Sequence, residues 1–162
     1  GITGGVALIE DVKADMLREL MEVNIVGYFL CAREAVKRMS TRHGGTGGAI
    51  VNLSSAAATL GAPGMFVDYA ASKGAIDVFT LGLAREVASE GIRVNGVRPG
   101  IIDTDIHASG GEPDRVAQMR GQLPMQREGT SLEVAEAIIW LASEKASYVT
   151  GTCLGVSGGR SI

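Results

Sequence analysis

Gly48-Ala49-Ile50-Val51-Asn52-Leu53-Ser54-Ser55 is the stretch on which the fold turns. Residues 49–53 are few and nearly all apolar, the pattern of a strand covered on both faces. Immediately upstream, Gly44-Gly45-Thr46-Gly47-Gly48 breaks a helix predicted over 11–43. In that helix Leu17, Leu20, Met21, Phe29, Ala32, Val36 and Met39 mark the side expected to be mostly buried. Asn24 and Gly27 are poor helix residues and predict a kink near its middle. Downstream, a small-residue loop with Gly61, Pro63 and Gly64 leads into a helix predicted over 67–90. That helix carries Ala75, Phe79, Leu83 and Val87 in one i+4 row and is stopped by Gly91.

The alternation continues beyond it. Residues 92–97 read as a second buried strand, ended by Pro99-Gly100. Residues 101–126 read as irregular, punctuated by Gly110, Gly111, Pro113 and Pro124, with only a short helix over 114–120. Thr130-Ser131-Leu132-Glu133 is a capping-box pattern, opening a helix with Leu132, Ala135, Ile139 and Ala142 along one side. Residues 149–157 form a last strand region. Helix, strand, helix, strand, helix, strand predicts an α/β fold, a parallel sheet with helices on its faces and right-handed crossovers.

Composition narrows the function. The chain has 162 residues, about one domain, and 46% hydrophobic with 20% charged residues argues against disorder. Its 23 glycines, with abundant alanine and few aromatics, suit helices packed closely on a sheet. A net charge of −3 and no basic run set nucleic acid aside. No apolar stretch approaches the ~20 residues of a membrane span, and residues 1–10 lack a signal-peptide pattern. The expected setting is the cytoplasm, where Cys31 and Cys153, far apart in sequence, stay reduced. With His43 and His107 equally isolated, no metal site is expected.

Tyr69-Ala70-Ala71-Ser72-Lys73 places a phenol and an ammonium one helical turn apart. Ser55 lies 14 residues before the tyrosine, at the carboxyl end of the strand 49–53, where ligands bind in parallel α/β sheets. Reduction of a carbonyl by hydride leaves an alkoxide that needs a proton, and the reverse reaction must remove one. A phenol of pKa about 10 is too little ionised to serve as the base near neutrality unless a neighbouring cation favours the phenolate. A serine hydroxyl can hold the substrate oxygen in place. Asn24 could order the kink or support a water leading away from the lysine.

With these residues in place, the chain resembles the short-chain dehydrogenase/reductase family, whose catalytic tetrad Asn24, Ser55, Tyr69 and Lys73 match. Further stretches fit in order: VNIVGYFLCAREAVKRM, GAIVNLSS, YAASKGAI, IRVNGVRPGIIDT and YVTGTCLGVSGG, together covering the whole length. By that resemblance Tyr69 is the general acid/base, and Lys73 lowers its pKa and holds the nicotinamide ribose. Ser55 positions the substrate oxygen and Asn24 supports a proton relay. Pro99, Gly100, Ile102 and Thr104 would contact the nicotinamide end of NAD or NADP. The implied substrate is a small alcohol or carbonyl compound, the implied assembly a homo-oligomer, dimer or tetramer, built on the helices 11–43 and 67–90. PGMFVDYAASKGAID and HASGGEP look most like a bacterial sugar- or polyol-dehydrogenase-like subgroup.

The family's cofactor loop, Thr-Gly-x-x-x-Gly-x-Gly between a strand and a helix, has no match. Gly44 to Gly48 follows a helix and precedes a strand, the reverse order; Gly110-Gly111 and Gly158-Gly159 sit in an irregular segment and after the last strand. Gly1 matches the end of the family's Asn-Asn-Ala-Gly turn after its fourth strand. Residues 1–162 are therefore expected to be a single partial domain, the C-terminal portion of a doubly wound Rossmann-type sheet without its N-terminal cofactor-binding half. Strand 49–53 would then show an unpaired edge. Residues 106–126 are expected to form a substrate lid. A non-catalytic remnant serving as an oligomerisation or binding scaffold is the second reading left open by the sequence.

Overall fold

A computed structural model describes residues 1–162. Three parallel strands, β1 (Gly48–Leu53), β2 (Ile92–Pro99) and β3 (Cys153–Val156), form one sheet in the order β1-β2-β3. Gly48 pairs with Ile92 and Gly96 with Cys153, so β2 is central and β1 is an edge strand with one free side. β2 is the buried strand that its Ile/Val content predicts. β1 is only partly covered: Asn52 is buried while Leu53 is 43% exposed.

Helices cover both faces. Helices α1 (Ala14–Met21), α2 (Gly27–Met39) and α4 (Val67–Val87) lie on one side, where Val36, Met39 and Leu83 pack against Ala84, Val87, Ile92 and Val94. Helix α7 (Ser131–Ala142) lies on the other, joining Val134, Ile138 and Leu141 to Val51, Val97 and Val156. Adjacent strand residues such as Ile50 and Val51 serve opposite cores, as the two-residue period of a strand requires. Short helices α3 (Ala57–Leu60), α5 (Ile106–Ser109) and α6 (Arg115–Arg120) sit in the connections; α5 falls in a segment read as irregular. No helix is long and apolar enough to cross a membrane.

The predicted kink takes a definite form. Between α1 and α2 the chain stays helical but widens into a π turn over Glu22–Val26, with Asn24 fully buried inside it. Such turns hold one extra residue and recur at functional sites. Phe29, just after it, is 50% exposed rather than buried, and stacks obliquely on Phe79 of α4 with ring centroids 4.2 Å apart.

Two helix faces differ from the sequence expectation. On α4 the buried row is Ile76, Thr80, Ala84 and Val87, so Ala75, Phe79 and Leu83 lie to one side of it. Thr80 enters the core because its hydroxyl accepts a bond from Asn52 Nδ2 at 2.9 Å. On α7 the sheet-facing residues are Val134 and Leu141, while Leu132 and Ile139 point outward. The capping box itself is present: Thr130 accepts from the Glu133 N–H, and the Glu133 carboxylate accepts from the Thr130 N–H. Truncating the fully buried Leu141 to alanine would cost about 2–5 kcal/mol.

Candidate active site

The site is built at the carboxyl end of β1. Strand pairing continues past Leu53: Ser54 N–H donates to the Val97 carbonyl at 2.8 Å and Ala56 N–H to the Pro99 carbonyl at 2.9 Å. The intervening Ser55 is thereby fixed in place, its hydroxyl accepting from Ala57 N–H at 3.1 Å. Ser54 and Ser55 part company here. Ser54 is buried and donates to the Lys73 carbonyl at 3.3 Å, a bond to the backbone of α4.

Tyr69 and Lys73 face inward from α4, and Lys73 is 3% exposed. The lysine is therefore no member of a solvated helix face. Its Nζ donates to the Leu53 carbonyl at 2.8 Å and to the Tyr28 hydroxyl at 3.4 Å, and lies 5.7 Å from the centre of the Tyr69 ring. Tyr28 donates to the same Leu53 carbonyl at 2.8 Å. An ammonium has three donors, so one N–H of Lys73 remains for a ligand.

Electrostatics depart from the sequence expectation. Burial pushes the Tyr69 phenol above its ordinary value, with hydrogen bonding to Ser55 pulling it partly back. Burial also pushes Lys73 down to about 8, against the opposing pull of Asp77 one turn further along α4.

Asn24 lies behind this pair rather than in it. Its Nδ2 donates to the Ile2 carbonyl at 2.8 Å and to Ser72 Oγ at 3.1 Å, and its Oδ1 accepts from Ile2 N–H at 2.9 Å. Ser72 in turn donates to the Tyr69 carbonyl at 2.7 Å.

A cleft of about 510 Å³ opens over these groups. Ser55, Tyr69, Lys73, Pro99, Gly100, Ile102 and Thr104 all line it; Asn24 does not. The sequence reading missed Tyr28, for which the four-residue step from Asn24 was the available signal. Within the segment 106–126 read as a lid, His107 and Arg115 stand on the cleft wall, although neither was singled out as a site residue; Arg160, also on the wall, was missed, since no local pattern links it to the rest. No three His, Cys, Asp or Glu side chains converge to hold a metal ion.

A family model described as enoyl-(acyl carrier protein) reductase matches residues 1–161. The chain belongs to the short-chain dehydrogenase/reductase family. Among its relatives in that family is the uncharacterized oxidoreductase YgfF of Escherichia coli strain K12, 59% identical over 152 residues, which span 94% of this chain and 62% of the relative. A crystal structure of 3-ketoacyl-(acyl-carrier-protein) reductase from Brucella melitensis complexed with NADH superimposes with a TM-score of 0.92 at 30% identity, covering 100% of this chain and 65% of that one. A gluconate 5-dehydrogenase from Burkholderia cenocepacia in complex with NADP and tartrate superimposes with a TM-score of 0.88 at 32% identity, covering 98% and 61%. The chain thus spans less than two thirds of the length of each. These short-chain dehydrogenases are Rossmann-fold proteins, and the parallel sheet with helices on both faces belongs to that fold class.

Proposed function

We propose that residues 1–162 form the catalytic portion of an NAD(P)-dependent enzyme that interconverts a secondary alcohol and a ketone. The observation that carries this reading is the convergence of Ser55, Tyr69 and Lys73 on one cleft at the carboxyl end of β1. The donor set fits a nicotinamide nucleotide: the free N–H of Lys73 suits a ribose hydroxyl, and the turn holding Pro99, Gly100, Ile102 and Thr104 suits the nicotinamide. When bound, the nicotinamide accepts the hydride that leaves the carbinol carbon, or returns it to the carbonyl carbon.

The chain's own residues manage the substrate oxygen. In the reductive direction the Tyr69 O–H bond breaks and its proton joins the oxygen as the carbon gains hydride; oxidation runs the same transfer backwards. Ser55 holds that oxygen beside the phenol. Lys73 presents a positive charge that stabilises the phenolate formed on proton loss. Ser72 and Asn24 position the turn of α4 that carries Tyr69. We further propose that the protein assembles as a homo-oligomer through α2 and α4, where Phe29, Val78 and Leu81 are exposed.

The test is Tyr69→Phe in the full-length protein. Turnover of secondary alcohols should fall by at least about 100-fold, the lower end for a lost general acid/base. Retained turnover removes Tyr69 from its role.

A further inference from the structure

The cleft over Tyr69 has an uneven charge. Its 24 lining residues include Lys73, Arg115 and Arg160, with His107, and not one Asp or Glu. Lys73 is already committed, with two donors on the Leu53 carbonyl and Tyr28 and the third suited to the cofactor ribose. Arg115 and Arg160 are not. Arg18, Arg33, Arg38, Arg42, Arg98, Arg120 and Arg127 each pair with a carboxylate, Arg93 is bonded to backbone carbonyls and Arg85 is exposed, whereas the two cleft arginines are part-buried and pair with no carboxylate.

Arg115 is nevertheless held. Its guanidinium lies 5.5 Å from the centre of the Phe66 ring and donates to Met65 Sδ at 2.9 Å. Both partners immediately precede α4, so Arg115 is held on the turn that leads into the helix carrying Tyr69. Arg160 follows β3 and is half-buried. Burial, and next the charge of Arg115, lower its proton affinity, so the two cations sense each other across the site. His107 is pinned by Nε2 on the Ile102 carbonyl at 3.0 Å, and burial depresses its pKa. The carboxylate acting on it, Asp103, is exposed and not on the cleft wall.

Two guanidiniums of one sign, half-buried and without a carboxylate, are poorly compensated. A planar fork of donors matches an oxyanion in two-point contact, which an ammonium cannot do. We propose that the substrate is anionic, with a carboxylate or phosphate group held by Arg115 and Arg160 while its carbinol oxygen meets Ser55 and Tyr69. This rests on the redox reading above and gives it a substrate class.

The experiment uses the full-length protein and matched pairs: secondary-alcohol carboxylates against their methyl esters, and sugar phosphates against the free sugars. The anionic member of one pair should show kcat/KM at least tenfold above its neutral partner; which pair does so distinguishes carboxylate from phosphate. Arg115→Gln and Arg160→Gln should each cut that ratio tenfold or more, chiefly through KM. Arg160→Lys, which keeps charge without the fork, should restore part of it. Arg127→Gln, a surface residue paired with Glu133, should leave the ratio unchanged. Calorimetry without cofactor supplies a readout free of turnover: succinate or inorganic phosphate should bind, at least tenfold more weakly to Arg160→Gln. Neutral partners preferred in every pair, a ratio unmoved in both glutamine variants, or no binding of either anion overturns the proposal. Turnover that survives Tyr69→Phe overturns instead the reading on which it rests.

Discussion

The Asn24 amide donates to the Ser72 hydroxyl at 3.1 Å, joining the π turn of the first helix to the helix that bears Tyr69 and Lys73. Both residues are fully buried. Ser72→Ala would leave one Asn24 donor bond unmade in a dry site and free the Tyr69 carbonyl of its extra donor. A loss of about 1–3 kcal/mol follows, read from urea unfolding. Turnover should fall less than with Tyr69→Phe, since no reacting atom is touched.

Lys73 gives a pH test. Burial brings its folded value to about 8 from the ordinary 10.5, so the fold disfavours the ammonium. The unfolded chain holds this proton up to about 10.5, and the native state releases it near 8. Stability should therefore rise as pH climbs from about 8 towards 10.5. Lys73→Met removes the buried charge. Its urea midpoint at pH 7 should exceed that of the parent, by at most about 3 kcal/mol in stability, and the gain should shrink by pH 9.5. Activity should be lost in the same variant.

The adjacent serines should separate cleanly. Ser55→Ala should lower turnover by about 10²-fold or more while barely moving the melting temperature. Ser54→Ala removes the buried bond to the Lys73 carbonyl and should lower stability by about 1 kcal/mol, with a smaller effect on turnover. Reversed outcomes would exchange the two roles.

Gly96 in β2 faces Cys153 of β3 so closely that a Cβ there would sit 2.7 Å from Sγ. Gly96→Ala should destabilise by about 1–3 kcal/mol through overpacking. Adding Cys153→Ala removes the sulfur and leaves a Cβ contact of 3.5 Å, so the double variant should recover part of the loss. Thermal unfolding of the four proteins closes the cycle.

The strand-to-helix logic was legible because it is local. Leu53, Ser55, Tyr69 and Lys73 lie within 21 consecutive residues, and β-to-α spacing sets their meeting. The helix faces were less legible. α7 is apolar nearly all round, from Leu132 and Val134 to Ile139 and Leu141, so a 3.6-residue period fits more than one stripe. On α4, the polar Ser72 and Thr80 are buried because Asn24 and Asn52 satisfy them, a compensation no hydrophobic pattern reveals. Arg115 and Arg160 are 45 residues apart and reach the same cleft wall only in the folded chain.

The wide turn at Glu22–Val26 also acts as a phase shifter. In a helix of 3.6 residues per turn, one inserted residue offsets every later side chain by roughly 100° relative to those before it. Leu20 and Ala32 can both be buried on one continuous rod although their interval is not set by a single unbroken stripe. Deleting one residue there would turn α2 about its axis. Tyr28 would leave the Leu53 carbonyl and Phe29 would leave Phe79, so a single codon would unmake both the lysine's support and the aromatic pair.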